Sequence, residues 1–213
     1  MYIQRTASAG VLLKLDGASI LLDGVCREVS PYPATPLWVK RELEEQLPDA
    51  VCFTHGHKDH YDPTFARHYK EATGRSIAGP ASLGGCNRTR VEGVKITAVP
   101  SRHIGKVGAE IEHVSFIIEG SKCLWFMGDS APLQWRGRED LPRPDILLIP
   151  YAYALSASAW EFTRSLGAEK ILLLHMPARD NDPAGLWNGV EAVVGAALGS
   201  TLIHLDMEES AEI

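Results

Sequence analysis

Residues 54–62 read Thr-His-Gly-His-Lys-Asp-His-Tyr-Asp, and within them His55, His57, Asp59 and His60 form an H-x-H-x-D-H cluster. Three imidazoles and a carboxylate so close together pack poorly in an apolar core but make a good ligand set for a divalent metal. With 8 histidines in 213 residues, chance would produce the pattern in roughly 6 of 10,000 chains of this composition. The run before it, Ala50-Val51-Cys52-Phe53-Thr54, has the apolar character of a short strand. The run after it starts a helix, with Asp62 as N-cap and Pro63 at the first helical position. Strand-to-helix loops hold converging side chains on a rigid scaffold, so the cluster reads as a metal site.

Working outward, 213 residues with 45% hydrophobic side chains can bury a sizeable core, and they fit a single domain spanning 1–213. The net charge of −6 argues against a nucleic-acid partner, which needs phosphate-neutralising cations. No stretch has the apolar length of a membrane span, and Met1-Tyr2-Ile3-Gln4-Arg5 lacks a signal-peptide pattern. A cytoplasmic location is expected. Cys26, Cys52, Cys86 and Cys123 show no C-x-x-C spacing, and free thiols are expected.

Asp16-Gly17 joins 11–15 and 19–22 as a tight hairpin. The spacing of Val39, Leu43 and Leu47 predicts a helix over 37–47 that Pro48 closes. A helix follows over about 63–72 and stops at Gly74, and strands are predicted at 76–78 and 94–99. A second hairpin pairs 114–119 with 122–127 across Gly120-Ser121. Residues 145–149 are almost continuously apolar, as in a strand buried on both faces. A helix over 156–166, a strand over 170–174, a helix over 186–197 and a strand over 201–205 complete the chain. Two packed sheets with helices outside satisfy the layering that such elements need.

Further ligand-type residues fall at strand ends: His103 after 94–99, Asp129 after 122–127, and His175 after 170–174. With the cluster they make seven candidate metal ligands: His55, His57, Asp59, His60, His103, Asp129 and His175.

On these residues the chain resembles the metallo-β-lactamase-fold superfamily over nearly its whole length. Asp23, after the first hairpin, matches the family's first, structural acidic position. The H-x-H-x-D-H cluster matches its signature, and His103, Asp129 in Gly-Asp-Ser and His175 in Leu-Leu-His-Met match the later ligand positions in order. The resemblance implies an α/β fold, a four-layer αββα sandwich of two mixed β-sheets with helices on the outer faces. It also implies two divalent metal ions, one held by His55, His57 and His103 and the other by Asp59, His60 and His175, with Asp129 between them. Zinc suits these ligands best, and Mn2+ or Fe2+ is compatible with them. The chain has no room for the insertion of nucleic-acid-processing members or for a flavin-binding extension. It is most similar to the small bacterial branch of metal-dependent hydrolases that includes ascorbate-6-phosphate lactonase-like proteins.

The expected activity is hydrolysis of an ester, lactone, thioester or phosphodiester by a hydroxide shared between the metals. Asp59 orients that nucleophile and takes its proton, and Asp23 supports the ligands. The substrate is expected to be a small molecule, with anions favoured through Arg102 and Lys106 beside His103. The alternatives are a ribonuclease Z-like nuclease and a metal-bearing binding or sensor protein without turnover. Other residues have ordinary readings too. His68 reads as solvated and His204 as a core or edge histidine, while Tyr151 and Tyr153 either pack or line the mouth of the site. For His113, packing and substrate contact are both open.

Overall fold

The computed structural model describes residues 1–105, 110–197 and 201–213. Strands β1 (Tyr2–Arg5), β2 (Val11–Leu15) and β3 (Ala18–Leu22) lead into helix α1 (Leu37–Glu45), strand β4 (Ala50–Cys52) and helix α2 (Pro63–Thr73). Strands β5 (Arg88–Val91), β6 (Val94–Ser101), β7 (His113–Glu119), β8 (Cys123–Phe126) and β9 (Ile146–Pro150) follow. Helix α3 (Ala157–Ser165), strand β10 (Lys170–Leu174), helix α4 (Leu186–Val194) and strands β11 (Leu202–His204) and β12 (Ser210–Glu212) complete it.

One sheet has the order β12-β1-β2-β3-β4 and the other β11-β10-β9-β8-β7-β6-β5. Both are mixed: β3–β4 is parallel in the first sheet, as are β8–β9, β9–β10 and β10–β11 in the second. Side-chain alternation makes the layers. Ile20, Leu22 and Cys52 face Ile118, Phe126, Leu148 and Leu172 in a core between the sheets. Their neighbours Leu21, Val51 and Phe53 point outward onto Val39, Leu43, Phe65 and Tyr69 of α1 and α2. On the other side Trp125, Leu147, Ile149 and Leu173 point outward onto Trp160, Phe162, Trp187 and Val190 of α3 and α4. The result is the expected αββα sandwich, and the apolar strand β9 is buried on both faces as its composition predicts.

Local chemistry explains the element ends. Asp16 and Gly17 both take positive φ, 52° and 86°, as a two-residue primed turn requires. Asp62 caps α2 by accepting from the Thr64 and Phe65 amides, and Gly74 ends it at φ 68°.

The structure corrects several boundaries. Residues 76–78 form no strand; Ala78 makes isolated bridges to Cys52 and Cys86 instead. The second hairpin pairs Glu119 with Cys123, so three residues turn it rather than two. Helix α1 stops at Glu45, and α4 at Val194, where the chain tightens into a 3-10 turn through Ala197. Strands β1, β5 and β12 had no predicted counterpart.

Candidate metal centre

One edge of the sandwich gathers the ligand-type residues because the strands deliver them there. Asp23 directly follows β3, His175 directly follows β10, and Asp129 follows β8 after Met127 and Gly128. The cluster follows β4. His103 leaves the end of β6, and His113 begins β7, which pairs antiparallel with β6, so both lie at that same end. Close approach dictates one glycine: at Gly128, with φ 53°, a Cβ would sit 2.6 Å from the Thr54 methyl carbon. The Thr54 carbonyl accepts from the Val114 amide at 2.9 Å and so ties the cluster's strand to β7 of the other sheet.

All seven candidate ligands come together. His55, His57 and His103 present ligand atoms within 4.8 Å of one another, and so do Asp59, His60 and His175. His55 Nε2 lies 2.9 Å from His57 Nδ1, and His175 Nε2 lies 3.1 Å from Asp59 Oδ2. Asp129 sits between the sets: its Oδ2 is 3.3 Å from His60 Nε2 and 3.6 Å from His103 Nε2.

The far side of each ring is held by the protein, which selects the nitrogen left over. Asp23, fully buried at φ 45°, accepts from the Thr54 amide at 2.7 Å, from the Thr54 hydroxyl, and from His60 Nδ1 at 2.8 Å. Because that hydroxyl donates to Asp23, its oxygen accepts from His55 Nδ1 at 2.9 Å, which leaves His55 Nε2 unprotonated and facing His57 Nδ1. His103 Nδ1 donates to the Ile104 carbonyl at 2.7 Å. His60 Nε2 and His103 Nε2 are then buried and face only Asp129 Oδ2, at 3.3 and 3.6 Å, without a well-formed hydrogen bond among the described residues. A buried nitrogen without a well-formed hydrogen bond costs up to about 1–3 kcal/mol, and a metal ion would remove that cost. Side chains that orient ligating imidazoles in this way are the usual support of metal sites. The residues fit a divalent metal.

The electrostatics follows from the same contacts. Burial alone would lower His60, but the Asp129 and Asp23 carboxylates outweigh it and hold the ring well above the usual imidazole range. Burial alone would raise Asp129, but the His60 and His175 imidazoles outweigh it and keep the carboxyl well below its usual range. Burial, reinforced by neighbouring imidazoles, pushes His55 and His57 down, so these two are neutral and ready to ligate.

The remaining candidates separate. His113 takes no place in either set. Its Nε2 accepts from the Asp129 amide at 3.1 Å and its Nδ1 donates to Ser101 Oγ at 2.7 Å, so it braces Asp129 from behind. Tyr153 is buried with its hydroxyl on Ser130 Oγ at 2.7 Å, which rules out a place at the mouth. Tyr151 does approach, its ring centroid 5.9 Å from that of His175. Arg102 is exposed, and its guanidinium has no partner among the described residues; Lys106 lies outside them. His68 is exposed on α2, and His204 packs edge-on to Trp187 with centroids 4.7 Å apart, away from the centre.

Sequence reasoning missed Tyr32. Its ring lies 4.2 Å from that of His175, and its phenol is raised by burial, by Tyr151 and by the charges of Asp129 and Asp59. It sits in a loop with no periodicity to betray it. All four cysteines are unpaired. Among the described residues no helix is long and apolar enough to cross a membrane.

Comparison with known proteins agrees with this architecture. A family model described as the beta-lactamase superfamily domain matches residues 2–171. A possible metal-dependent hydrolase from Veillonella parvula superposes with a TM-score of 0.72 at 15% identity, covering 100% of this chain and 99% of the other. A novel metallo hydrolase from the archaeon Ignicoccus hospitalis gives 0.64 at 19% identity over 99% and 97% of the two chains. An isothiocyanate hydrolase from Delia radicum gut bacteria gives 0.64 at 15% identity over 100% and 99%. Curated protein sequences gave no significant match. With its family model covering most of the sequence and both sheets in place, this chain belongs to the β-lactamase superfamily and has the metallo-β-lactamase fold.

Proposed function

We propose that the protein is a dinuclear metal-dependent hydrolase of small molecules. The observation that carries this reading is the placement of Asp129 Oδ2, within 3.3 Å of His60 Nε2 in one set and 3.6 Å of His103 Nε2 in the other. His55, His57 and His103 would hold one ion, Asp59, His60 and His175 the second, and Asp129 would contact both. With Asp129 shared, each ion would have four protein ligands, and a fifth position would stay open for water and substrate, as catalytic sites require. The ions supply Lewis-acid activation of water and polarisation of the scissile oxygen. Zinc is favoured by the imidazole-rich donors, with manganese or iron compatible.

The chain's own residues do the rest. Asp59 is half-buried and accepts from His175; burial would raise its carboxyl, but His175 and His60 outweigh that and keep it ionised. An ionised carboxylate beside the reacting water orients it and takes its proton. Tyr32 and Tyr151 beside His175 form an aromatic wall with phenol donors for a substrate's polar groups. The bond cleaved is proposed to be that of an ester, lactone, thioester or phosphodiester. A small substrate suits the net charge of −6, and an anion would be drawn to the two ions themselves.

Protein loaded with Zn2+, Mn2+ or Fe2+ should bind two equivalents by elemental analysis. It should turn over at least one class in a panel of lactones, thioesters and phosphodiesters, and a chelator should abolish that turnover. A stoichiometry that stays at one under metal-replete conditions would refute the dinuclear reading, and chelator-insensitive turnover would refute the metal dependence.

A further inference from the structure

Arg5, the last residue of β1, is 4% exposed, yet no carboxylate forms an ion pair with it among the described residues. Its guanidinium donates to four backbone carbonyls instead. Nε reaches Ala7 O at 3.3 Å and Nη1 reaches Leu205 O at 2.8 Å. Nη2 reaches Ser8 O and Met176 O, each at 3.1 Å. Burial pushes the group down to about 10, against the opposing pull of Asp206, Cys26 and Glu209. Nη1 also lies 3.5 Å from His204 Nε2, so the guanidinium is buried on carbonyls and one imidazole with no counter-charge in contact, which is unfavourable unless its fixed fork of donors does something no other side chain can.

Two of those carbonyls bracket one candidate ligand. The His175 amide donates to Ser8 O at 3.1 Å, the same oxygen that Arg5 holds, and Met176 O belongs to the next residue. His175 has φ 64°, a left-handed conformation that a non-glycine residue keeps only where its surroundings over-determine it. The same buried turn also abuts the centre. Ala9 lines a small cavity with His60, Asp129 and His175, and Gly10 lies so close to the Asp23 carbonyl that no Cβ would fit.

We propose that Arg5 is a positioning residue for His175, clamping the backbone on both sides of it and so setting how tightly the Asp59/His60/His175 set holds its ion. This rests on the metal-centre reading above. A purely architectural role in joining β1 to the C-terminal segment would need only the Leu205 and His204 contacts. The bonds to Ser8 and Met176 converge on His175, and none reaches the His55/His57/His103 set.

The test is a Zn2+ titration against a chromophoric chelator, with amide hydrogen exchange on the metal-free protein, for wild type, Arg5→Met and Arg5→Lys. In Arg5→Met one equivalent should keep its wild-type affinity while the other weakens about 10- to 100-fold, the range for lost ligand support. The His175 amide should exchange at least about tenfold faster, with Ile171 to Leu173 in β10 unchanged. Arg5→Lys should fall between, because an ammonium cannot span the same carbonyls. If Arg5→Met does not fold, Arg5→Lys must show the loss confined to His175 and one equivalent. Unchanged second-equivalent affinity and His175 protection would overturn the proposal. So would parallel loss of both equivalents with general loss of β10 protection. A wild-type chain that takes up no metal would defeat the metal-centre reading, and exchange at His175 would still decide the clamp.

Discussion

Replacing Asp23 with Asn isolates what the buried carboxylate does for the centre. Asparagine is nearly isosteric and tolerates the left-handed φ of 45° at this position, so the backbone should survive. The amide oxygen can still accept from the Thr54 amide, now 2.7 Å from Asp23 Oδ1. Its NH2 group then replaces Oδ2, the atom that accepts from His60 Nδ1 at 2.8 Å and from the Thr54 hydroxyl. Donor facing donor drives His60 to the tautomer protonated at Nε2, the nitrogen directed at Asp129 and needed for a metal. The Thr54 hydroxyl loses its acceptor too, which frees it to donate to His55 Nδ1 and puts that ring's proton on Nε2, the nitrogen needed for a metal. Loss of such support costs about 10- to 100-fold in metal affinity, or roughly 1.4–2.8 kcal/mol. The cost should fall on both equivalents, because Asp23 reaches one ring of each set. Competition with a chromophoric chelator measures it, and the thermal midpoint monitors the fold. Wild-type affinity at both equivalents in a folded Asp23→Asn protein would refute the reasoning.

Other consequences are narrower. His57→Ala should lose metal and turnover yet stay folded, since His57 is half-buried and the core is independent of it; full activity in that variant would remove the cluster from the site. Gly128→Ala should destabilise by about 2–4 kcal/mol in denaturant titrations, combining φ 53° with a Cβ 2.6 Å from the Thr54 methyl. Burial holds His113 down to about 3, whereas an unfolded histidine protonates near pH ~6.5. The contribution of His113 to the stability of the metal-free protein should therefore be full above about pH 6.5 and be lost as the pH drops toward 3. His113→Gln should flatten that slope, and an equal slope would contradict the assignment. Thiol titration of the unfolded, unreduced protein should find four free groups, because Cys26, Cys52, Cys86 and Cys123 are unpaired.

How much of this was legible in the sequence depends on whether information sat in side chains or in backbone pairing. The layers were legible because alternation along β8, β9 and β10 sorts Trp125, Leu147 and Leu173 from Phe126, Leu148 and Leu172, and two buried faces demand two partners. Strand β12, Ser210-Ala211-Glu212, was not. It is polar and exists through pairing of Tyr2 with Glu212 across the length of the chain, which no local pattern encodes. β5 hid for a like reason, since exposed Arg88 and Arg90 suit an edge strand but spell no apolar alternation. At Ser76-Ile77-Ala78 the error ran the other way: three strand-like residues lacked a ladder to join beyond single bridges.

The site divides along the same line. The convergence of the candidate ligands was readable because imidazoles and carboxylates at strand ends have no better use in a core. The tyrosine over His175 came from an irregular loop, where side-chain identity says little about position. The groups that hold His175 in place are carbonyls of Ser8 and Met176, and a carbonyl is the same in every residue. The readable trace of that clamp was an arginine at an inward position of β1, two residues after buried Ile3, where alternation calls for an apolar side chain. A charge at a position that the pattern assigns to the core has to be answered by something, and here the answer surrounds a candidate ligand.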